Sequence, residues 1–446
     1  MRLWNGKRAF PTLVVAWLIG WALGVPVGAQ SSSDGTLDVE ACVEIALEQS
    51  HRLGQSAAAL KSAEGQALAQ TRAILPTVTA SAAWTQQHYD EPRPVVIEGV
   101  LQGESDVFYD GRMSLRASQS LLNLESYHGW RSSRARIGAA REDWIAVRQD
   151  VEVSTRQQFH ECLAAIKLAE VEDNAVSVAQ EQLRRAETLF NLGSVARSDV
   201  LQARVNLAEA EMNAINRHNV VRVENSRLSM VMGLDPRGEV AVDTTLTIPA
   251  EDPSGNIEEW IARAMDMRPE FAAARTRLRA SRLDARGSKL GRLPVLGADF
   301  SWSRSGTSDD TYLEEAEFSS NWSLSLYASI TLFNGLQREG QIQAAVADVR
   351  LKQEQLDQLE KEIALEVKDS YLTIRKERES LRASQTSVRL AEESLRLQQA
   401  LYESGAGTLL EWDNARLDLR RARVSLIQAR ISLLLAHVRF NKAVGV

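Results

Sequence analysis

From Cys162 to Phe190 the small and apolar residues recur at alternating steps of three and four: Cys162, Ala165, Ala169, Val176, Ala179, Leu183, Ala186 and Phe190, with Glu172 the one break. Near the C-terminus the same series runs unbroken through Ala415, Leu419, Ala422, Leu426, Ala429, Leu433, Ala436, Phe440 and Ala443. A period of 3.5 residues predicts coiled-coil seams. The many alanines allow the helices to approach closely. No proline lies between Pro94 and Pro236, and none follows Pro294. Proline inside a helix costs about 3 kcal/mol, so these gaps permit very long helices. The pattern predicts helix over 125–190, 198–232, 337–402 and 410–444, preceded by helix-forming stretches over 37–72 and 256–290. At about 1.5 Å per residue, the longest would reach about 100 Å. No compact domain of this size accommodates that length.

Between the helical stretches the period changes from 3.5 to 2. Trp322, Leu324, Leu326, Ala328, Ile330 and Leu332 alternate with Asn321, Ser323, Ser325, Tyr327, Ser329 and Thr331. Ala298, Phe300 and Trp302 alternate with polar residues and Gly297, and so do Val78, Ala80, Ala82 and Trp84 with mostly polar neighbours. Met113, Leu115, Ala117 and Leu121 alternate with Arg112, Ser114, Arg116 and Ser120. The predicted strands cover about 77–88, 107–121, 295–304 and 321–332, with the acidic loop 305–320 facing outside. Segments of about ten residues, apolar on one face and polar on the other, fit a transmembrane barrel. Trp84, Trp302 and Trp322 near the loop ends fit an aromatic girdle. A half-buried strand of a soluble sandwich alternates in the same way. Four strands cannot close a barrel, and open edges in lipid leave backbone groups unpaired. Two, three or four chains would supply eight, twelve or sixteen strands.

The chain is also written twice. Residues 42–86 align onto 260–304 without a gap, bringing Leu75-Pro76 onto Leu293-Pro294 and Trp84 onto Trp302. Residues 151–234 align onto 363–446, bringing Gly193 onto Gly405 and Gly233 onto Gly445. The expected organisation is a first repeat over 30–234, a linker over 235–255 and a second repeat over 256–446.

The remaining composition narrows the class. Of 446 residues, 25% are charged, and only two are cysteine and six histidine. A polytopic helical membrane protein, a disulfide framework and a histidine-built metal site do not fit these numbers. A formal charge of -7 gives no support for nucleic-acid binding. Residues 1–29 read as a signal peptide: Arg2, Lys7 and Arg8 precede the apolar Phe10 to Val25, and Val27-Gly28-Ala29 offers a cleavage site. No catalytic constellation, phosphate-binding glycine loop or metal-ligand spacing is present, so neither enzyme activity nor a cofactor is expected. Cys42 and Cys162 fall at similar depth along helices that could be neighbours. An oxidising compartment would permit a disulfide between them; two buried free thiols are the alternative.

With these features together, the mature chain resembles the TolC family of outer-membrane efflux proteins. The likeness rests on the opening Leu37-Asp38-Val39-Glu40-Ala41, on the Leu-Pro junctions, and on two helix-helix turns. The turns run from Leu189 through Gly193 to Ser198 and Asp199, and from Leu401 through Gly405 to Glu411 and Asp413. The resemblance implies a homotrimer with a twelve-stranded barrel in outer-membrane lipid above a twelve-helix tunnel in the periplasm. It implies two partners, a periplasmic adaptor (a membrane fusion protein) and an inner-membrane transporter of RND, ABC or MFS type. It implies a passive exit duct for efflux or type I secretion. A periplasmic coiled-coil scaffold with a soluble β domain is the competing reading.

The resemblance also implies roles for residues at the turns. A periplasmic gate would tie Tyr402 to Ser198 and Asp199. Tyr402 equally continues the seam through Val388, Ala391 and Leu395, and a tyrosine can pack its ring while offering its hydroxyl. The family's gate uses an arginine two residues after the second turn glycine, where this chain has Gly407. The pore constriction would fall at Glu411 and Asn414, with Asn414 lowering the expected ring charge. Adaptor contact would fall at Gly193, Ser194, Gly405 and Ala406.

Overall fold

The computed structural model describes residues 36–446 except 98–99, 249–252, 309–312, 314–315, 317 and 405. The expected signal peptide, Gly405 and the acidic residues of the 305–320 loop lie outside the described residues.

Two helices dominate. α3 covers Leu124–Asn191 and α7 covers Gln337–Glu403. At about 1.5 Å per residue, each is about 100 Å long. Asn123 caps α3 by accepting a hydrogen bond from the Ser126 amide at 3.0 Å. Each long helix turns into a shorter one, α4 (Arg197–Met232) after α3 and α8 (Leu409–Val444) after α7. α4 and α8 pack along their long partners, and α8 also packs against α3. The seams read from the sequence lie inside over most of their length: Cys162, Ala165, Ala169 and Ala179 are buried, as are Ala415, Leu419, Ala422, Leu433 and Phe440, whereas Phe190 at the end of the first seam is exposed.

The two stretches expected as single helices are each broken once. α1 (Val39–Gln49) is separated from α2 (His51–Ala69) by extended Ser50, and α5 (Ile257–Met267) from α6 (Pro269–Leu290) by extended Arg268. A glycine sits against each break. Gly233 ends α4 at φ 82°, and a Cβ there would come within 2.3 Å of the Gln49 carbonyl oxygen. Gly445 ends α8 at φ 85°, and a Cβ there would lie 3.1 Å from Met267 and 3.2 Å from the Arg268 amide. Both glycines therefore serve a left-handed C-cap and a close backbone approach together.

The four strands form one antiparallel sheet in the order β1 (Thr77–Ile97), β2 (Val100–Leu122), β3 (Val295–Ser308), β4 (Ser319–Ser329). β1 and β2 continue well past the expected 77–88 and 107–121. Alternating hydropathy marks only the stretch with one apolar face; beyond it Pro92, Pro94 and the apolar run Val95-Val96-Ile97 break the period while the backbone pairing persists. β4 ends at Ser329, so Ile330, Thr331 and Leu332 lie outside the strand. Trp84 stacks on Tyr109 on one face, and the Ser81 and Ser114 hydroxyls meet at 2.7 Å on the other. Trp322, Leu324 and Leu326 are 71%, 63% and 75% exposed. Among the described residues, Leu313 and Phe318 cover this face at Gly111, the stretch from Trp322 to Leu326 stays open, and the outer strands β1 and β4 are each paired on one side.

The main core lies where α1, α3, α4 and α8 meet, around Cys42, Ala46, Phe159, Cys162, Leu163, Leu228, Met232 and Leu434. Cys42 and Cys162 are free thiols with no exposed surface. Burial pushes the Cys42 thiol up to about 12 and the Cys162 thiol up to about 11. The structure therefore holds the free-thiol alternative. Thiols held so far above neutral pH carry almost no thiolate, the nucleophile that disulfide formation needs.

Candidate functional site at the helix tips

The end of α3 closes in a Schellman turn. Ser194 donates its amide to the Leu189 carbonyl at 2.9 Å, Gly193 donates to Phe190 at 2.9 Å, and Gly193 takes φ 73°. Gly193 and Ser194 are exposed. Ser198 donates its hydroxyl to the neighbouring Asp199 carboxylate at 3.2 Å. Asp199 stands in the first turn of α4, where the helix dipole favours negative charge.

At the second tip, the amides of Ala406 and Gly407 both donate to the Leu401 carbonyl, at 2.9 and 3.0 Å. Ala406 is exposed. A Cβ at Gly407 would lie 3.1 Å from the Leu401 side chain and 3.2 Å from the Tyr402 amide. Any larger residue there must displace the last turn of α7 by a few tenths of an ångström. Thr408 and Glu411 form a reciprocal capping box: the Thr408 amide donates to Glu411 at 2.9 Å, and the Glu411 amide donates to the Thr408 hydroxyl at 3.2 Å. Thr408's amide and hydroxyl hold the Glu411 carboxyl below its ordinary range. Within one chain, Glu411 thus fixes the start of α8. Asn414 is exposed one turn further on.

Tyr402 and Asp199 line one half-enclosed cavity between the tips, together with Leu189, Asn206, Trp412 and Asp413. Among the described residues no hydrogen bond joins the Tyr402 hydroxyl to Ser198 or Asp199. Its ring instead stacks on Trp412 at 5.2 Å with 17° between planes, and the Arg416 guanidinium lies 5.6 Å from the Trp412 centroid. Burial raises the Asp413 carboxyl above its usual range, with Arg416 at 3.4 Å opposing that rise.

A polar ladder, absent from the sequence reading, links α3 to the α7–α8 pair. Arg185 meets Glu403 at 3.7 Å, Gln182 donates to Asp413 at 3.4 Å, and Arg420 donates to Glu172 at 3.3 Å. Glu172 is buried. It is the residue that interrupts the apolar series of α3, and that interruption was the available signal. Its partner could not be read, because Arg420 lies 248 positions away.

Comparison with known proteins places these features in a family. The sequence profile of the outer membrane efflux protein family matches residues 42–234 and again 260–446. The chain belongs to this family. Its members are outer-membrane channels that extend into the periplasm, and they are passive rather than enzymatic. They generally work as trimers with an adaptor and an inner-membrane transporter. Protein CyaE of Bordetella pertussis is 26% identical over 288 residues, which is 65% of this efflux-family chain and 60% of CyaE. The chain thus spans less than two thirds of the curated relative it matches. Two solved structures share the fold at low identity. CusC superposes with a TM-score of 0.77 at 17% identity, covering 91% of this chain and 92% of CusC. The Campylobacter jejuni CmeC outer-membrane channel gives 0.77 at 18%, covering 91% and 85%.

Proposed function

We propose that this chain assembles as a homotrimer into the exit duct of a tripartite efflux pump or a type I secretion system. The observation that carries the reading is a four-stranded sheet with an exposed apolar stretch from Trp322 to Leu326 and, among the described residues, two outer strands paired on one side, standing on two helices of about 100 Å. A second and third copy would close the sheet into twelve strands. The duct does no chemistry; an inner-membrane transporter of RND, ABC or MFS type supplies the energy. The mature chain would begin after residue 29, and residues 235–255 would join two equivalent repeats.

The gate in this reading lies at the helix tips. Tyr402 and Asp199 form it through a shared cavity, with Ser198 hydrogen-bonded to Asp199 and Tyr402 stacked on Trp412, rather than through a direct bond from the Tyr402 hydroxyl to the Asp199 carboxylate. Glu411 and Asn414 line the constriction, and Gly193, Ser194, Gly405 and Ala406 receive the adaptor. Support comes from the exposed, tightly closed turns and from the cavity that brings Asp199 beside Tyr402. The test is direct. The mature protein should run as a heat-modifiable trimer in detergent and conduct in a planar bilayer. A detergent-indifferent monomer without conductance would overturn the duct in favour of a soluble scaffold.

A further inference from the structure

The sheet's register sorts its side chains into two faces. Trp84, Tyr109, Met113, Leu115, Trp302 and Trp322 share the apolar face. On the opposite face, the Ser81 and Ser114 hydroxyls meet at 2.7 Å and the Ser301 and Ser323 hydroxyls at 2.8 Å. In a closed barrel the apolar face meets lipid, so the serine-rich face lines the lumen. This inference rests on the duct reading above.

That luminal face carries two arginines. Arg112 pairs across the sheet with Ser305, which pairs with Ser319. Arg116 pairs with Ser301, which pairs with Ser323. The row between them holds serines and Asn321. No carboxylate stands in these three rows. Asp110 lies one row further from the helices and accepts a hydrogen bond from the Thr307 hydroxyl. Asp299 lies one row nearer the helices, opposite Ser118 and Ser325. Among the described residues neither arginine has a salt bridge or hydrogen-bond partner, and both are exposed.

Four residues along a strand separate the two arginines by about 14 Å. We infer that Arg112 and Arg116 form an anion-attracting band inside the barrel, a determinant of which charged solutes dwell in the outer part of the duct. Three copies would place six guanidiniums in a lumen otherwise lined there by hydroxyls, amides and Ala83. Serine and asparagine offer no competing charge, and arginine cannot lose its proton under working conditions. A planar guanidinium matches phosphate and carboxylate oxygens in pairs. A screening length of about 8 Å at physiological salt confines the attraction to the lumen itself. The ligand class is therefore multivalent anions, and the band opposes any acidic ring at the periplasmic tip.

The test uses inositol hexakisphosphate as a probe on full-length mature trimers inserted in one orientation in a planar bilayer. Added on the barrel side at 0.15 M KCl, the probe should block the current, and added on the tip side it should block at least ten-fold less well. Raising KCl to 1 M should abolish the block. R112S/R116S, which extends the serine pattern already present, should need about ten-fold more probe, while R112K/R116K, which keeps the charge but loses the planar fork, should fall between the two. Equal block from both sides of the native trimer, or native-like block in R112S/R116S, would overturn the band while leaving the duct intact. Native trimers that never conduct would overturn the duct reading, and the band with it.

Discussion

At the scale of single residues, the tip and the core each offer a measurable group. Glu411 serves the α8 capping box in one chain, and three copies near an axis would also attract divalent cations. Substituting Glu411→Gln keeps an acceptor for the Thr408 amide but removes the charge. Divalent-cation block of single-channel current should weaken several-fold, while α8 helicity stays nearly constant because a cap is worth only about 1 kcal/mol. Unchanged block would remove Glu411 from the constriction. His160 tests the core. Burial, assisted by Arg156, pushes its imidazole down to about 4, and its Nδ1 is buried with no hydrogen-bond partner among the described residues. The ring packs edge-on against Phe159 at 5.7 Å. The unfolded chain binds this proton near the ordinary histidine value of about 6.5, above the folded value. Stability is therefore complete above about 6.5 and falls as pH drops towards 4, by roughly 2–3 kcal/mol from this group. Thermal melts of the helical signal between pH 7.5 and 4.5 should show that slope, and His160→Gln should flatten it.

At the scale of elements, the α3–α8 ladder gives the clearest expectation. Glu172 is a buried carboxylate in an otherwise apolar seam, and Arg420 is its partner. Removing one member of such a pair leaves a buried charge and costs about 3–5 kcal/mol; replacing both by apolar residues is often neutral. Arg420 is itself one third exposed, so the lower end applies. Arg420→Met alone should lower the melting temperature, and adding Glu172→Leu should recover most of the loss. A double variant as unstable as the single one would show that the tie is not a pairwise contact. The elements also show what a sequence can reveal. The helices α3, α7 and α8 were legible because period 3.5 and the missing prolines are local signals. The break after α5 carries Pro269, a local stop; the break after α1 carries only Ser50. What shapes that break is the α4 C-terminus, whose Gly233 meets the Gln49 carbonyl from far along the chain. At the tips, Asp199 and Tyr402 were found through motif resemblance. The stacked Trp412 and the half-buried Asp413 emerged only once the helices were packed, since neither aromatic stacking nor desolvation has a sequence period.

At the scale of the whole molecule, everything turns on the two open edges of the sheet. In a soluble sandwich an edge strand tolerates proline wherever the lost amide pointed to solvent. In a barrel closed by neighbouring copies, β4 is no edge at all, and every amide of its middle has a partner in β3 or in the next chain. Leu324 and Ser325 are adjacent in β4, so one amide points to β3 and the other away. The pair Leu324→Pro and Ser325→Pro therefore samples both directions. Each should abolish the heat-modifiable trimer, because an unsatisfied group in lipid costs several kcal/mol, while circular dichroism should still report the long helices. A scaffold with a free edge would lose stability in one variant and ignore the other. Equal failure of both variants is therefore the signature of a sheet completed between chains, and a single tolerated proline would return β4 to solvent and the molecule to a monomeric fold.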